Sequence, residues 1–348
     1  MKIAQVAPLT ERVPPKYYGG TERVVSYLTE ELVRQGHEVT LFASGDAITQ
    51  ARLVAACPRA LRLDEQCVDP WAHQVVLLEH VFRQAYAFDV LHFHIDYWHF
   101  PLSARQATPH VTTLHGRLDL PDLVPVYQTF PTMPVISISA AQRTPLPGLN
   151  WQGTVHHGLP DDCYTFHATP GTYLAFLGRI APEKGVDQAI AIAQRAGMPL
   201  QIAAKVDRVD RAYFQEVIQP LLADPLIQHI GEIGEDQKNT FLGEAYALLF
   251  PIEWPEPFGL VMIEALACGT PVIAYCRGSV PEVLEDGVTG WIVAGLEEAV
   301  QAVARVPLLS RARCRQVFQE RFSAARMARE YLRIYQQLFV GGSTRVAA

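Results

Sequence analysis

Short apolar runs alternate along this chain with longer segments whose apolar positions recur every three or four residues. That alternation predicts parallel strands joined by helices. Residues 2–7 read as a first strand, 21–35 as a first helix stopped by Gly36, and 38–43 as a second strand. Residues 90–93, 111–114 and 135–139 continue the set, and 155–157 close it. A second series then begins: a strand over 173–177, a helix over 186–196, and strands over 200–204, 227–230, 247–250 and 271–275. Pro170 and Gly171 break the periodicity between the two series. The expected fold is α/β: two doubly wound, Rossmann-like domains, residues 1–167 and 173–320. They are expected to face across a cleft at the C-terminal ends of their strands, where such sheets bind ligands. A last amphipathic helix over 324–339 is expected to cross back to the first domain, with 340–348 a frayed tail.

Nearly every candidate for chemistry falls just after a predicted strand. The stretch from Glu256 to Glu264, E-P-F-G-L-V-M-I-E, sets two carboxylates around a helix start. Pro257 suits the first helical position, where its missing N–H costs nothing. Leu260, Met262, Ile263, Leu266 and Ala267 form the apolar side, and Gly269 and Pro271 end the element. At a helical rise the two carboxylates stand roughly 12 Å apart. They are too distant to share one bond-breaking event but well placed to grip hydroxyls at two ends of an extended ligand. Between them the N–H groups of Phe258, Gly259 and Leu260 lie at the positive end of the helix dipole, where phosphate is favoured. Sugar hydroxyl, phosphate and ribose hydroxyl in that order describe a nucleotide-sugar.

Gly178 and Arg179, followed by Lys184 and Gly185, place two permanent cations in one loop, as a diphosphate requires. Tyr18, Gly19, Gly20, Thr21 and Glu22 follow the first strand. The paired glycines admit a close ligand and Thr21 can cap the helix, but the segment lacks G-x-G-x-x-G spacing, which argues against a dinucleotide cofactor. His115, followed at once by Gly116, ends a strand at its mouth and so favours a polar contact with substrate. His92, His94 and Asp96 alternate onto one face and admit a metal-site reading. Tyr97 stands where such a site would want another histidine, so lining the acceptor side of the cleft is the preferred role.

Bulk properties narrow the class. The 348 residues suffice for two cores. A formal charge of −7 argues against nucleic acid as a partner. The N-terminus enters a strand at once with no signal-peptide pattern, and no apolar run is long enough to span a membrane. Six cysteines without a C-x-x-C pair read as reduced thiols, so a cytoplasmic protein is expected. Seven arginines between Arg311 and Arg333, against Glu320 and Glu330, admit peripheral contact with anionic lipid; a solvated helix face or internal salt bridges is the preferred explanation.

Taken in order, Gly19-Gly20, His115-Gly116, Gly178-Arg179, Lys184-Gly185, Glu256 with Glu264, and the segment from Gly278 through Glu282 and Asp286 to Gly290 resemble the retaining glycosyltransferases of family 4, which have the GT-B fold. The resemblance covers nearly the whole chain. It implies that Glu256 holds hydroxyls of the transferred sugar and Glu264 the ribose, and that Arg179 and Lys184 bind the diphosphate with the N–H groups of Phe258, Gly259 and Leu260. It further implies that His115 contacts the sugar near the reacting carbon and that Gly19 and Gly20 close onto phosphate. Backbone at Ile230, Gly231 and Ile233, with Lys205 nearby, would meet the base. The implied reaction moves a hexosyl group from a nucleotide-sugar, UDP-linked by expectation, by a same-face displacement that needs no metal or other cofactor. Tyr18, Asp96, Tyr97 and Arg117 are acceptor-side candidates for a sugar, a lipid-linked or a small-molecule acceptor. A sugar phosphorylase of the same fold, a metallohydrolase on His92, His94 and Asp96, and a nucleotide-sugar sensor are the alternatives.

Overall fold

The computed structural model describes residues 1–62 and 64–346. The chain forms two compact units, one from Met1–Gly158 with the segment from Ala324 onward, the other from Leu159–Ser323.

The first unit runs β1 (Lys2–Val6), α1 (Gly20–Arg34), β2 (Glu38–Ser44), β3 (Arg52–Cys57), α2 (Pro70–Arg83), β4 (Val90–Phe93), β5 (His110–Thr113), β6 (Val135–Ser137) and β7 (Trp151–Thr154). Among the described residues these strands make one parallel sheet in the order β3-β2-β1-β4-β5-β6-β7. Helices cover both faces, as parallel sheets require. Leu77 and Val81 of α2 pack on Ala4, Val6, Phe42, Leu91 and Phe93, while Val25 of α1 packs with Leu41 and Ala43. The strand order reverses between β1 and β4, the place where such sheets leave room for a ligand.

Two local expectations change here. Helix α1 starts at Gly20 with Gly19 as its cap, and no side chain caps it, so Thr21 lies inside the first turn. Gly19 has φ 155°, and a Cβ there would stand 2.8 Å from the Cβ of Pro15, so the cap position is closed to side chains. The last strand lies at Trp151–Thr154 and not at 155–157. The ladder slips a residue between Val135 and Ile136, so pairing starts earlier than the apolar run suggests.

The second unit runs β8 (Tyr173–Arg179), α3 (Val186–Ala196), β9 (Leu200–Lys205), β10 (Ile227–Gly231), α4 (Glu235–Gly243), β11 (Ala245–Phe250), α5 (Leu260–Cys268), β12 (Val272–Tyr275), β13 (Gly290–Val293), α6 (Leu296–Arg305) and α7 (Arg311–Arg321). Its described strands repeat the same parallel scheme, β10-β9-β8-β11-β12-β13, with the reversal between β8 and β11. Leu174, Ile202, Ala247, Leu249 and Ile273 of the sheet pack with Ile190 and Ala193 of α3 and Ala299 of α6.

The chain joins this unit at Leu159, ahead of the Pro170-Gly171 break. The segment is fastened there by Leu159 N to Phe322 O (2.8 Å), the Tyr164 hydroxyl to Glu235 (2.5 Å) and His167 N to Cys268 O (3.0 Å). The final helix, α8 (Ala324–Val346), belongs to the first unit. It runs past the expected end at 339 and through Gly341 and Gly342, because elongation adds one hydrogen bond per residue and a glycine weakens a helix without breaking it. The frayed tail expected over 340–348 is therefore helical as far as Val346, and 347–348 lie outside the described residues. No helix among the described residues is long and apolar enough to cross a membrane.

Candidate functional site

In the second unit the charged side chains expected to meet a diphosphate leave from the C-terminal end of β8 and the loop beyond it. Gly185 follows Lys184 with φ 69°, and any Cβ there would strike the Pro251 carbonyl, so the loop closes tightly against the end of β11. Lys184 Nζ lies 2.5 Å from Glu256 Oε2, and the same oxygen accepts from the Trp254 indole N–H at 2.8 Å. The Lys184 ammonium also sits 4.8 Å from the centre of the Trp254 ring. Arg179 donates to Glu183 at 2.5 Å and to Asp210 at 3.2 Å, with Asp207 3.7 Å away. Lys205, at the end of β9, pairs with Asp207 at 2.9 Å. Every expected phosphate cation thus carries a carboxylate partner, which a diphosphate must replace or share.

Helix α5 opens at Leu260, capped by Gly259 at φ 80°. Pro257 therefore precedes the helix by three residues instead of beginning it. The left-handed Gly259 cannot be part of a right-handed turn, so the helical rise assumed between Glu256 and Glu264 holds only for its second half. The Leu260 and Val261 N–H groups open the helix, where no intrahelical carbonyl reaches them. Phe258 contributes main chain only, its ring being buried edge-on against Phe322. The Gly278–Ser279 turn braces this loop: Ser279 N donates to Glu256 O at 3.0 Å and its hydroxyl to Phe258 O at 2.8 Å. Glu264 is buried at 3 % exposure and accepts from Lys238 of α4 at 2.9 Å. At the end of β10, Ile230 is exposed and Gly231 takes φ 81°, while Ile233, two residues beyond the strand, is buried.

In the first unit His115 lies two residues past β5, half-buried, with Nε2 2.9 Å from His94 Nδ1. Burial pushes its pKa down to about 3, so the ring is neutral. His157 stacks on it at 5.3 Å. Asp96 has φ 52°, a conformation few non-glycine residues adopt; the residue is exposed, yet desolvation raises its carboxyl to about 6. Tyr97 packs on the Phe100–Tyr127 cluster, Tyr18 is exposed, and Arg117 forms a two-bond pair with Asp119 at 2.7 Å.

The metal-site alternative and the acceptor-lining role given to His92 do not fit this arrangement. Strand β4 ends at Phe93 and Asp96 turns left-handed, so the alternation that aligned the three residues stops short. His92 and His94 are buried with both ring nitrogens of each in hydrogen bonds. Among the described residues no group of three His, Cys, Asp or Glu is arranged to hold a metal.

Residues 18–149 match the family Glycosyltransferase Family 4, and residues 166–317 match Glycosyl transferases group 1. The chain is a GT-B glycosyltransferase related to family 4. It is 26% identical to the alpha-maltose-1-phosphate synthase of Mycobacterium tuberculosis, over 96% of this chain and 99% of that one. Its fold matches AviGT4, a glycosyltransferase involved in avilamycin A biosynthesis, with a TM-score of 0.76 at 24% identity, covering 98% of each chain. It also matches HepE of Anabaena, solved in complex with UDP-glucose, with a TM-score of 0.68 at 19% identity over 99% of this chain and 100% of that one. The transferase is of the retaining class and works from a nucleotide-sugar donor.

Sequence reasoning missed part of the transferase's charged cluster. Lys238 sits in a polar stretch, Glu235 to Thr240, with nothing to mark one lysine as the partner of Glu264. Asp207 and Asp210, which hold Arg179, lie in a loop whose carboxylates read as solvated surface. Trp254, two residues before Glu256, was the more visible signal: an indole beside a candidate carboxylate is a ready donor.

Proposed function

We propose that the transferase moves a hexosyl group from a UDP-sugar to a hydroxyl-bearing acceptor, a sugar or another small molecule, without a metal. The observation that supports this reading is the Lys184–Glu256–Trp254 contact at the entrance to α5, which sets an ammonium suited to phosphate beside a carboxylate suited to sugar hydroxyls. Arg179, Lys184 and the Leu260 and Val261 N–H groups face the diphosphate and stabilise the charge it gains on leaving, the part a metal would otherwise play. Glu256 holds hydroxyls of the sugar, Glu264 the ribose, and the Gly231 region the base. Tyr18, Asp96, Tyr97 and Arg117 of the first unit meet the acceptor, and His115 meets the sugar. The bond from the anomeric carbon to the diphosphate oxygen breaks while the acceptor oxygen bonds to that carbon on the same face. The acceptor proton passes to the departing phosphate oxygen, so protons balance without a protein base. HepE, bound to UDP-glucose, supports uridine as the base.

Calorimetric titration with UDP, GDP and ADP, then with UDP-glucose, UDP-galactose and UDP-GlcNAc, each with and without EDTA, tests the proposal. The expected result is binding of the uridine series that EDTA leaves unchanged. Preference for ADP or GDP would overturn the base, and loss of binding with EDTA would overturn metal independence.

A further inference from the structure

His115 ends a buried line of polar side chains that runs through the first unit to helix α8. From His115 the contacts pass to His94 Nδ1 (2.9 Å), then from His94 Nε2 to Gln5 Oε1 (2.8 Å). Gln5 Nε2 donates to the Tyr335 hydroxyl (3.1 Å), which stands 2.6 Å from His92 Nδ1. His92 Nε2 then meets the Thr113 hydroxyl (2.7 Å), and Thr113 reaches the Tyr331 hydroxyl at 3.1 Å. Gln5, His92, Thr113, Tyr331 and Tyr335 are completely buried, and His94 nearly so.

Each link fixes the next, because a neutral imidazole has one donor nitrogen and one acceptor nitrogen. Burial pushes the pKa of His92 and His94 well below the ordinary histidine value and that of His115 to about 3, so all three carry a single ring proton. The Gln5 carbonyl oxygen can only accept, so His94 Nε2 holds the proton and His94 Nδ1 is bare. A bare His94 Nδ1 requires the proton of His115 on Nε2. His115 Nδ1 is then a lone-pair acceptor, and it is a buried atom with no hydrogen-bond partner. On the far side, the Gln5 amide N–H occupies one lone pair of the Tyr335 hydroxyl, which directs the hydroxyl proton to His92 Nδ1. His92 Nε2–H then faces Thr113. All links agree in sense, and reversing the Gln5 amide would reverse every one of them.

We propose that this chain, anchored by Gln5 and Tyr335, locks His115 as the Nε2–H tautomer and keeps its buried Nδ1 a bare, unpartnered acceptor, which takes a hydrogen bond from a ligand hydroxyl when binding uncovers it. Gln5, His94 and Tyr335 are positioning residues, and α8 takes part in the site through its tyrosines although it lies at the far end of the sequence. A donor at Nδ1 would face sugar hydroxyls as one more N–H; a bare nitrogen orients a hydroxyl by taking its proton end. That the hydroxyl belongs to the transferred sugar or the acceptor rests on the proposed function; the tautomer itself does not.

The test is long-range proton–nitrogen NMR on the full-length protein labelled with nitrogen-15 histidine, with His115 assigned from the signal lost in His115→Gln. In the wild-type protein without ligand, His115 is expected to show an unprotonated Nδ1 and a protonated Nε2. Tyr335→Phe is expected to release the Gln5 amide and give a mixed or inverted His115 tautomer at unchanged overall fold. Gln5→Met should do the same, and it replaces Tyr335→Phe if that variant fails to fold. A protonated Nδ1 in the wild-type protein overturns the proposal. So does a bare Nδ1 that persists unchanged in either folded variant, because the chain would then not be what sets it. Neither result bears on UDP-sugar binding, which calorimetry reads separately.

Discussion

Arg179 and Glu264 are the residues at which the free protein says most about the cost of binding. Arg179 is already paired with Glu183 and Asp210, so a diphosphate gains its guanidinium only by displacing or sharing those carboxylates. Arg179→Ala should therefore weaken UDP by about 1.5 kcal/mol, roughly tenfold, the low end for a charge-assisted bond. Unchanged affinity in a correctly folded variant would remove Arg179 from the phosphate site. Glu264 is a different case, because it is buried and salt-bridged to Lys238. Lys238→Met leaves that carboxylate without its cation and should cost about 3 kcal/mol in urea unfolding, whereas adding Glu264→Gln should restore most of the loss. Glu264→Gln alone should weaken UDP more than its 2′,3′-dideoxy analogue. Equal losses would make Glu264 a structural half of an ion pair and not a ribose ligand.

Strands β4 and β5 and the segments beside them concentrate buried histidine, which makes the first unit sensitive to acid. Burial holds the pKa of His92, His94, His99 and His157 well below 6.5, and that of His115 at about 3. In the unfolded chain these rings take up protons below about pH 6.5, while in the folded chain they stay neutral. Their contribution to stability is therefore complete above 6.5 and lost as pH falls, each by about 1.4 kcal/mol per pH unit. Glu22 works in the opposite direction. Its burial raises the carboxyl to about 7, so the fold prefers it protonated and gains stability as pH falls from 7 toward 4.5. Glu22 recovers about 2 kcal/mol by pH 5.5 and Asp96, whose carboxyl is raised to about 6, recovers less; together they fall short of what five histidines lose. Urea unfolding at pH 7.5 and 5.5 should show a clear net loss; equal or greater stability at 5.5 would mean that these rings are not held neutral. The elements themselves were largely legible. The strand at Val90–Phe93 and the helix at Val186–Ala196 follow from their apolar spacing residue for residue. Strands β3 and β13 were not found, and both are sheet edges. Both carry apolar runs, Leu53–Cys57 and Trp291–Val293, but runs this short cannot be told from a turn or a buried helix segment by periodicity alone. The tautomer chain was beyond reach for another reason: its links join residues 89 and 330 positions apart, a pairing that only the folded sheet and α8 create.

At the scale of the molecule, the arginine-rich stretch from 311 to 333 is the one feature that sequence leaves open between a lipid-facing surface and internal fastening. The structure uses most of it as fastening. Arg311 is buried and donates to the carbonyls of His167, Gly243 and Ala245 and to the Thr270 hydroxyl. Arg315 reaches the carbonyls of Asp161, Tyr164 and Ala267, so these two side chains clamp the entering segment, 159–172, onto the second unit. Arg321 bonds Glu285 and the Glu282 carbonyl, Arg313 bonds Glu320, and Arg326 bonds Glu330 and the carbonyls of His156 and His157. A guanidinium spent on carbonyls keeps its charge but cannot leave them to meet a phosphate headgroup without exposing buried acceptors, at about 1–3 kcal/mol each. Adsorption to anionic lipid gains only about 1 kcal/mol per basic side chain, so the exchange is unfavourable for Arg311 and Arg315. A formal charge of −7 opposes the approach as well. In sedimentation with phosphatidylserine vesicles at about 0.15 M salt, where screening acts over about 8 Å, the protein should stay in the supernatant. Pelleting that added salt reverses would show that Arg329 and Arg333, together with a few partly exposed partners, suffice to hold the molecule on a membrane. The clamp then predicts a second difference. Arg311→Ala should destabilise the second unit strongly, having orphaned several carbonyls and a hydroxyl, while Arg333→Ala should leave stability within about 0.5 kcal/mol of the parent.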